Sequence, residues 1–585
     1  MVLLGEMRRR NIFKVSLAYA TVSWLIVQVA DLLLPVFNAP LWIVQALVLM
    51  LILLFPVTVL LSWAYELTPE GFKATADVDR TQSITIKTGK KLNRIVTVLL
   101  SLAALFLVLD NYLIEGEVLP DPDVAYRQSI AVLPFANRSE VEANAEFFAD
   151  GVHGGLLNRL ARLSDLHVIA RTSVIRYRDA TLNLREIGAE LGVGSILEGD
   201  VQRTVDAIRI NVQLIDAQTD ELIWADTYER ALDAANILTL QSEIVAEIAD
   251  ALDVNLNDAE QAGLETVSTE NLDALDTYFV GKLRVADRTE PSLRTAIEAF
   301  DRATQRDPQF AAAWAGLAEA WLVLPGRTTN TDPQRVRRRA SSAASRAVNL
   351  DPDLPDAQTV LGWHLLLHNY DWQGAEDAFR RALQIESTHI NALHGYSNLL
   401  SWQANHSDAL AAARLAVSTD PLSPLMRINL SYVLMNAGAW DEALDVANAL
   451  ISQGIYPSLL VNTWIGALRS TRTDVSTDML ARWAAATGRD PEAVATVNAL
   501  VMRRQSDDVP VTIDPALIDR LMITNELAEL QAALGNADAT LDALEAAVQS
   551  GTGSGSLLSM KINPSYDFIR DDPRFLALIS EVGLE

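Results

Sequence analysis

Cysteine is absent from all 585 residues of the sequence. Its absence excludes disulfide bonds, thiolate nucleophiles and zinc sites with cysteine ligands. Basic residues are scarce after residue 114. Residues 1–114 contain ten Lys/Arg and seven Asp/Glu, which leaves 37 basic and 68 acidic residues for 115–585. A region so acidic repels phosphate backbones, so we expect no nucleic-acid binding. Solubility is the simpler use of such acidity.

Motifs for catalysis or cofactor binding are also missing. The sequence has no Gly-x-Ser-x-Gly elbow and no dinucleotide fingerprint. Gly151, Gly154 and Gly155 lie near the start of a predicted helix, but no Gly-Lys-Ser/Thr follows. Close packing of this helix against a strand is therefore favoured over phosphate binding. His364 and His368 are one helical turn apart without a carboxylate that completes a metal shell. We therefore predict no catalytic residue, no cofactor and no metal, and a protein that is not an enzyme.

Three hydrophobic segments, at about 15–34, 41–63 and 95–113, have the length that a membrane-spanning helix requires. Only six residues, 35–40, connect the first two segments, so these two are expected to form a hairpin. The alternative is a hydrophobic hairpin buried in a soluble core, but charge-free runs of this length are rare in soluble folds. The sequence thus predicts a membrane region over 1–114 with three transmembrane helices.

The distribution of positive charge predicts the orientation of these helices. Arg8, Arg9, Arg10 and Lys14 precede the first segment, and six Lys/Arg lie between the second and the third, whereas the hairpin link has none. The N-terminus is therefore expected in the cytoplasm, and the soluble part in the periplasm of a bacterial inner membrane. If the third segment does not cross, the soluble part lies in the cytoplasm instead.

A small α/β domain is predicted over 125–257, after an acidic linker at 115–124 that contains two prolines. Hydrophobic periodicity gives the order β-α-β-α-β-β-β-α, which is an α/β sandwich. The segment 207–217 alternates apolar and polar residues, as expected for a strand with one solvated face.

Several ordered blocks of this domain resemble a known family. The segments 129–135, 147–151, 168–173, 184–193, 197–201 and 214–217 are similar to the TolB-like (FlgO-like) amino-terminal domain of bacterial envelope proteins. The resemblance covers about 130 residues. It implies a domain that is typically periplasmic and mediates contacts, with no catalytic residue set to carry over. Asp200 stands where the family has a small residue or Ser, which we interpret as a turn variation.

Internal repetition dominates the region from residue 270 onwards. Alanines recur at 296, 340, 375, 409 and 443, with spacings of 44, 35, 34 and 34 residues. The pattern resembles the tetratricopeptide repeat (TPR), a 34-residue helix–turn–helix. We predict five repeats over 270–457, followed by degenerate helical repeats and a C-terminal cap over 458–585. The predicted fold class is therefore multi-domain: N-terminal transmembrane helices, a TolB-like α/β sandwich and an all-α TPR superhelix.

Stacked TPR units are expected to bind an extended peptide or a partner helix with the concave face formed by the first helix of each pair. Asn391, His394 and Asn398 of the fourth repeat, and Tyr432 and Asn436 of the fifth, are predicted to point into this groove as partner-binding residues. The family variant that grips a ligand carboxyl terminus uses lysines here, which these positions lack. The alternative is a groove that is polar only because it is solvated.

Two main hypotheses for function follow. The first is a membrane-tethered scaffold that binds protein or peptide partners. The second is a regulatory protein linked to an adenylate-cyclase-like or transcriptional pathway, because chains with similar membrane and TolB-like regions are sometimes joined to such modules. Paired metal-binding aspartates of a cyclase and a winged helix before the membrane region are both missing. An envelope assembly factor is a third possibility. The oligomeric state stays open.

Overall fold

The computed structural model divides the chain into two compact units, Met1–Asp121 and Pro122–Glu585. It describes residues 128–139, 145–178, 183–264, 266–327, 332–455, 484–485, 490–507, 510–521, 527–550 and 555–584, together with 65–68, 71–74 and six positions between 19 and 55.

The first unit is described at a few positions only. Two short antiparallel strands, β1 (Tyr65–Thr68) and β2 (Gly71–Ala74), form a hairpin. The hydroxyl of Tyr19 donates a hydrogen bond to the carbonyl of Leu51 over 2.7 Å. Almost all of the predicted spans 15–34 and 41–63, and the whole of 95–113, lie outside the described residues. Within the part of the chain that is described, no helix is both long enough and apolar enough to cross a membrane.

The second unit begins with a mixed β-sheet. Its strands are β3 (Ser129–Val132), β4 (Ala136–Asn137), β5 (His167–Val168), β6 (Ser195–Arg203), β7 (Ala207–Asp216) and β8 (Leu222–Ala231). The order is β5-β3-β6-β7-β8, and β4 pairs with β6. The strand β3 runs parallel to β5 and β6, whereas β6, β7 and β8 are successively antiparallel. The predicted small domain with a mixed sheet is therefore present.

The helices of this domain are α1 (Ala145–Leu160), α2 (Arg171–Val174), α3 (Leu184–Leu191) and α4 (Ala234–Ala251). The elements follow the predicted order, except that the short helix α2 and the two-residue strand β4 are additional to it. Asn183 begins α3 with a reciprocal capping box that involves Glu186. The β7 strand buries Ile208, Ile210, Val212 and Leu214 on one face, as its alternating sequence predicts. A further short helix, α5 (Asp258–Leu264), precedes the helical repeats.

Five consecutive helix pairs follow, and we number them repeats 1 to 5, with a first helix A and a second helix B. They are α6 (Leu272–Ala286) and α7 (Glu290–Arg306), α8 (Ala311–Val323) and α9 (Pro333–Leu350), α10 (Pro355–His364) and α11 (Trp372–Ile385), α12 (Ile390–Trp402) and α13 (His406–Thr419), and α14 (Pro424–Asn436) and α15 (Trp440–Ser452). The recurrent alanines 296, 340, 375, 409 and 443 are all fully buried on the B helices.

Large and small residues interlock where neighbouring repeats meet. The ring of Phe300 lies between Gly281 and Gly316, and a Cβ atom on either glycine would come within 2.5 Å of that ring. Phe379 lies in the same way between Gly362 and Gly395. The absence of a side chain at these glycines lets the A helices of adjacent repeats approach one buried phenylalanine from two sides. Small residues at these positions are therefore needed for the stacking of the repeats.

More helices follow the repeats: α16 (Pro491–Asp507), α17 (Pro515–Leu521), α18 (Leu527–Ala533) and α19 (Ala537–Ser550). The last part of the chain, Gly555–Leu584, is here called the C-terminal segment. It contains α20 (Gly555–Leu558), a 3-10 helix (Pro564–Ile569) and α21 (Pro573–Glu581). Arg574 joins this segment to α19 through Asp542 and Glu545. The segment also folds back onto repeats 3 to 5, which the sequence does not predict.

Candidate functional site: the concave face of the repeats

Polar side chains from A helices two repeats apart meet on the concave face. The Lys282 ammonium of repeat 1 lies 3.3 Å from an Asp356 carboxylate oxygen of repeat 3. The Asn391 amide of repeat 4 donates to Glu319 of repeat 2 over 3.4 Å. These contacts skip one repeat each, so they cross the face and do not run along it. The concave face is therefore narrow and is bridged by polar groups.

The ion pair at the centre of this face retains contact with water. The side chains of Lys282 and Asp356 are 30% and 20% exposed. Burial alone would raise the pKa of Asp356, but Lys282 and His389 outweigh it and hold the pKa far below its ordinary range. Burial likewise opposes the charge of Lys282, and Asp356 outweighs it and raises the pKa of the ammonium. Both groups therefore stay charged across the physiological range.

His389 links repeat 3 to the start of repeat 4. Its Nε2 lies 3.1 Å from Asp356, and its Nδ1 accepts the backbone N–H of Ala392 as the cap of helix α12. The Thr359 hydroxyl lies 3.3 Å from the same Nδ1. Burial lowers the pKa of His389, but Glu386 and Asp356 outweigh it and raise the pKa.

A hydroxyl, an imidazole and a carboxylate in series are also the components of a nucleophile with its base. Here the Nδ1 lone pair already accepts a backbone amide, and Thr359 is buried within its helix. The arrangement of Thr359, His389 and Asp356 therefore orients the two repeats and lacks a base free to activate a nucleophile.

Three of the five predicted partner-binding residues lie in repeat 4. Asn391 is the one that reaches across the concave face, as described above. The His394 ring lies 5.4 Å from that of Trp363, and burial lowers the pKa of His394 to about 3. Asn398 is buried, and its amide donates to the backbone carbonyl of His394 over 2.9 Å. Of the three, Asn391 is thus the one whose side chain bridges to repeat 2.

The two predicted residues of repeat 5 lie apart from Asn391. Tyr432 is buried and accepts a hydrogen bond from the Trp402 indole over 3.0 Å. The Asn436 amide donates to the Ser401 hydroxyl over 2.9 Å. Tyr432 shares an apolar cluster with Tyr566 of the C-terminal segment. The structure therefore brings these two residues into contacts within the chain.

Lys282, Glu319 and Asp356 were not among the predicted site residues, although they form most of the polar lining. Each is a charged residue on an A helix that is otherwise rich in small or apolar residues. A charged residue on such a helix could therefore have been used to predict a site residue. Their pairing is not readable from the sequence, because 74 residues separate Lys282 from Asp356.

The α/β domain lies along the edge where the A helices begin. Near repeat 1 the contact is mainly apolar: the Phe279 ring fills the space above Gly151 and lies 6.3 Å from the Phe148 ring. Beside it, Arg203 forms a two-pronged ion pair with Asp276, with both distances 2.9 Å. Phe279 and Phe148 belong to the same buried cluster as the core of the α/β domain.

The same domain also contacts the turn between repeats 4 and 5. Asp420 in this turn accepts hydrogen bonds from the hydroxyls of Thr172 and Ser173, the second over 2.6 Å. The Ala170 amide donates to the Thr419 carbonyl over 2.9 Å. This second contact is polar and has no cation that pairs with Asp420 among the described residues. The α/β domain therefore bridges the two ends of the row of repeats.

The C-terminal segment covers the opposite edge, where the A helices of repeats 3 to 5 end. The Trp372 indole donates to the Val582 carbonyl over 2.7 Å. Tyr566, Phe575 and Val582 are buried in one cluster with Leu399 and other residues of repeats 3 to 5. The concave face is thus bordered by the chain itself on both edges.

The residues considered for anion and metal binding have packing contacts. Gly151 and Gly155 admit the side chains of Phe279 and Gln241, so they serve close contacts between helices and not the helix–strand packing expected from the sequence. His364 and His368 are buried with their rings 5.4 Å apart, and burial lowers the pKa of His364 to about 4. No group of three or more potential ligands is arranged for a metal ion in the described ranges.

Comparison with protein families gives matches in both the α/β domain and the helical repeats. Residues 292–328 and 402–458 match the tetratricopeptide repeat, which confirms the predicted repeats. Residues 126–247 match the family described as HilA/YgeH-like transcriptional regulator, second domain. The resemblance of this domain to the TolB-like family stays a prediction.

One curated relative and several solved structures are similar to parts of the chain. The chain is 32% identical over 243 residues to "Putative adenylate cyclase 3" of Rhizobium meliloti (strain 1021), a match of 41% of each protein. The chain therefore spans less than half the length of that relative.

Among solved structures, YrrB, a TPR protein with an unusual peptide-binding site, is 16% identical over 37% of this chain and 98% of its own, with a TM-score of 0.23. The type IV pilus biogenesis factor PilW is 16% identical over 46% and 93%, with a TM-score of 0.24. Lipoprotein GNA1162 from Neisseria meningitidis is 18% identical over 21% and 98%, with a TM-score of 0.16.

Proposed function

We propose that the chain is an interaction scaffold that holds a protein or peptide partner on the concave face of its TPR repeats. The supporting observation is the row of polar bridges between Lys282 and Asp356 and between Glu319 and Asn391. These side chains are partly exposed and lie on helices that pack rigidly. A peptide backbone offers donors and acceptors that can take the place of the Asn391 amide and can hydrogen-bond to the partly exposed ion pair without breaking it.

The balance of charge on this face favours a particular kind of partner. Lys282 is already neutralised by Asp356, so a carboxylate from outside gains little from it. An extended segment that presents backbone groups and neutral polar side chains fits such a lining better than a charged peptide terminus. This proposal is consistent with the expectation that the face does not grip a ligand carboxyl terminus.

We extend the proposal to membrane tethering through the hydrophobic segments 15–34, 41–63 and 95–113. The hydrogen bond from Tyr19 to Leu51 and the 5.6 Å separation of the Tyr19 and Phe55 rings support side-by-side packing of the first two segments. With the positive residues on one side, the scaffold is placed at a bacterial inner membrane with its soluble domains in the periplasm.

Affinity purification from solubilised membranes tests the scaffold. A double substitution, Lys282→Glu with Glu319→Lys, keeps the net charge but reverses the pattern of the concave face. A partner recovered with the unaltered chain and lost with this variant supports the proposal, provided that the circular dichroism spectrum and thermal unfolding of the variant match those of the unaltered chain. The control is Arg380→Glu on a B helix, which leaves recovery unchanged. Equal recovery with the concave variant and the unaltered chain contradicts it.

A second candidate is a regulatory protein in a signalling pathway. It is favoured by the match of 126–247 to a domain of transcriptional regulators and by the relative named as an adenylate cyclase. More than half of that relative lies outside the match, so its named activity comes to this chain only as a proposal. A cyclase assay of the purified chain with ATP tests this second candidate. Formation of cyclic AMP by the chain alone would favour a signalling protein over a scaffold without enzymatic activity.

A further inference from the structure

We infer that the contact of Asp420 with Thr172 and Ser173 is a releasable latch, which controls access to the concave face from the edge that the α/β domain covers. The inference deepens the proposed function, because it concerns the same face and adds its regulation. It concerns only contacts within the second unit of the chain.

The two contacts between the α/β domain and the repeats differ in chemistry. At repeat 1, Phe148 and Phe279 belong to one continuous apolar core, whose separation would expose large hydrophobic surfaces to water. At the turn between repeats 4 and 5, the contact is made by hydroxyls, backbone groups, one carboxylate and the His167 imidazole, whose Nε2 lies 3.3 Å from the Ser418 carbonyl oxygen, with Leu422 as its apolar member. The first contact is therefore suited to remain closed while the second opens.

Asp420 is held at the second contact without a counter-charge. The residue is 1% exposed, and its oxygens accept from Thr172, Ser173 and Ser423. Burial outweighs these hydrogen bonds and raises the pKa of the carboxyl. A carboxylate removed from water with neutral donors alone is stabilised less than one paired with a cation. Opening returns it to water, which offsets most of the lost hydrogen bonds.

The edge between the two contacts is held together less firmly. Arg162 of the α/β domain lies near Glu386 of repeat 3, close enough to lower the pKa of that carboxyl, although burial raises it overall. The Arg162 Nε nevertheless makes no hydrogen bond. Opening of the whole contact around Asp420 would therefore free this edge, with the repeat 1 contact as the hinge.

The absence of native cysteine allows a direct test with single engineered cysteines in the full chain in detergent. Glu319→Cys places one thiol on the concave face, and Gln384→Cys places one on the exposed side of helix α11. Each cysteine variant is prepared both with the native Asp420 and with the Asp420→Ala substitution. The rate at which a polymer-linked maleimide labels the cysteine is then measured. The reagent is the probe, so no partner is needed.

If the Asp420 contact is a latch, Asp420→Ala raises the labelling rate at position 319 by about fivefold or more and leaves the labelling rate at position 384 unchanged. A fivefold rise corresponds to the net loss of roughly one hydrogen bond. Unchanged rates at both positions overturn the inference. If both rates rise, the fold has loosened, and the milder Thr172→Val variant decides by the same criterion. Because no partner takes part, the latch and the partner-binding proposal can fail independently.

Discussion

Lys282 of repeat 1 and Asp356 of repeat 3 form an ion pair across the concave face, with the ammonium nitrogen and a carboxylate oxygen 3.3 Å apart. The pair joins two helices that are not neighbours in the stack. It therefore holds the curvature of the repeats, in addition to the packing of each repeat on the next.

Removal of one member of this pair should measure how much the pair contributes to the free energy of unfolding. Lys282→Met leaves Asp356 with His389 as its remaining partner, so we expect a loss of about 1–2 kcal/mol, between the values typical of exposed and buried pairs. Chemical unfolding followed by circular dichroism checks this. Arg294→Met, which breaks an exposed pair with Glu290 within one helix, is the matched control and should cost less than about 0.5 kcal/mol. Equal effects of the two variants would show that the cross-face pair is not structural.

Two helical glycines should respond oppositely to alanine. At Gly316 an added Cβ would lie 2.5 Å from the Phe300 ring, so we expect Gly316→Ala to destabilise the array by about 1–3 kcal/mol through overpacking. At Gly154 an added Cβ meets open space, and alanine should stabilise helix α1 by about 0.5–1 kcal/mol. Thermal unfolding of both variants tests the interlocking of small and large residues, and stabilisation by Gly316→Ala would rule it out.

The buried His153 predicts a loss of stability in mild acid. Its Nε2 donates to the Val132 carbonyl over 2.8 Å, and burial lowers its pKa from 6.5 to about 4. Because the unfolded chain binds the proton more tightly, the stability from neutral His153 is complete above pH 6.5 and falls as the pH drops towards 4. At pH 5 the loss is about 2 kcal/mol.

His153→Gln keeps a neutral donor and removes the titration. Its free energy of unfolding should therefore fall less between pH 7 and pH 5 than that of the unaltered chain, even if it is lower at pH 7. Denaturant titrations at both pH values give the comparison. Parallel losses in the two proteins would assign the acid sensitivity to other groups, such as His364 and His394.

The orientation in the membrane makes a separate prediction. With three crossings, a reporter fused after residue 585 should be active only in its periplasmic form, whereas the same reporter placed between the second and third segments should be active only in its cytoplasmic form. A cytoplasmic signal from the C-terminal fusion would mean that 95–113 does not cross.

Local patterns predicted much of the fold. Strand β7 (Ala207–Asp216) lies within the predicted segment 207–217, because strict alternation of apolar and polar residues marks a strand with one buried face. The buried alanines of the B helices followed from a spacing near 34 residues. These features depend on neighbours within one or two turns, or on a repeated unit, and both are visible in a single sequence.

Contacts between distant parts of the chain could not be predicted in this way. The bond from Trp372 to Val582 joins residues 210 positions apart, and Asp420 meets Thr172 across 248 positions. Nothing in the local sequence of Tyr432 distinguishes a groove residue from one covered by the C-terminal segment. The predicted binding residues were therefore chosen by helix position alone, while the charged bridges depend on how tightly the repeats curve.

Site-specific photo-crosslinking in cells tests directly whether a partner binds on the concave face. A photoreactive amino acid replaces Glu319 on the concave face in one strain and Gln384 on helix α11 in another. We expect position 319 to yield a discrete crosslinked polypeptide of higher mass and position 384 to yield none. Crosslinks at 384 with none at 319, in a chain that folds and reaches the membrane, would contradict a partner held on the concave face.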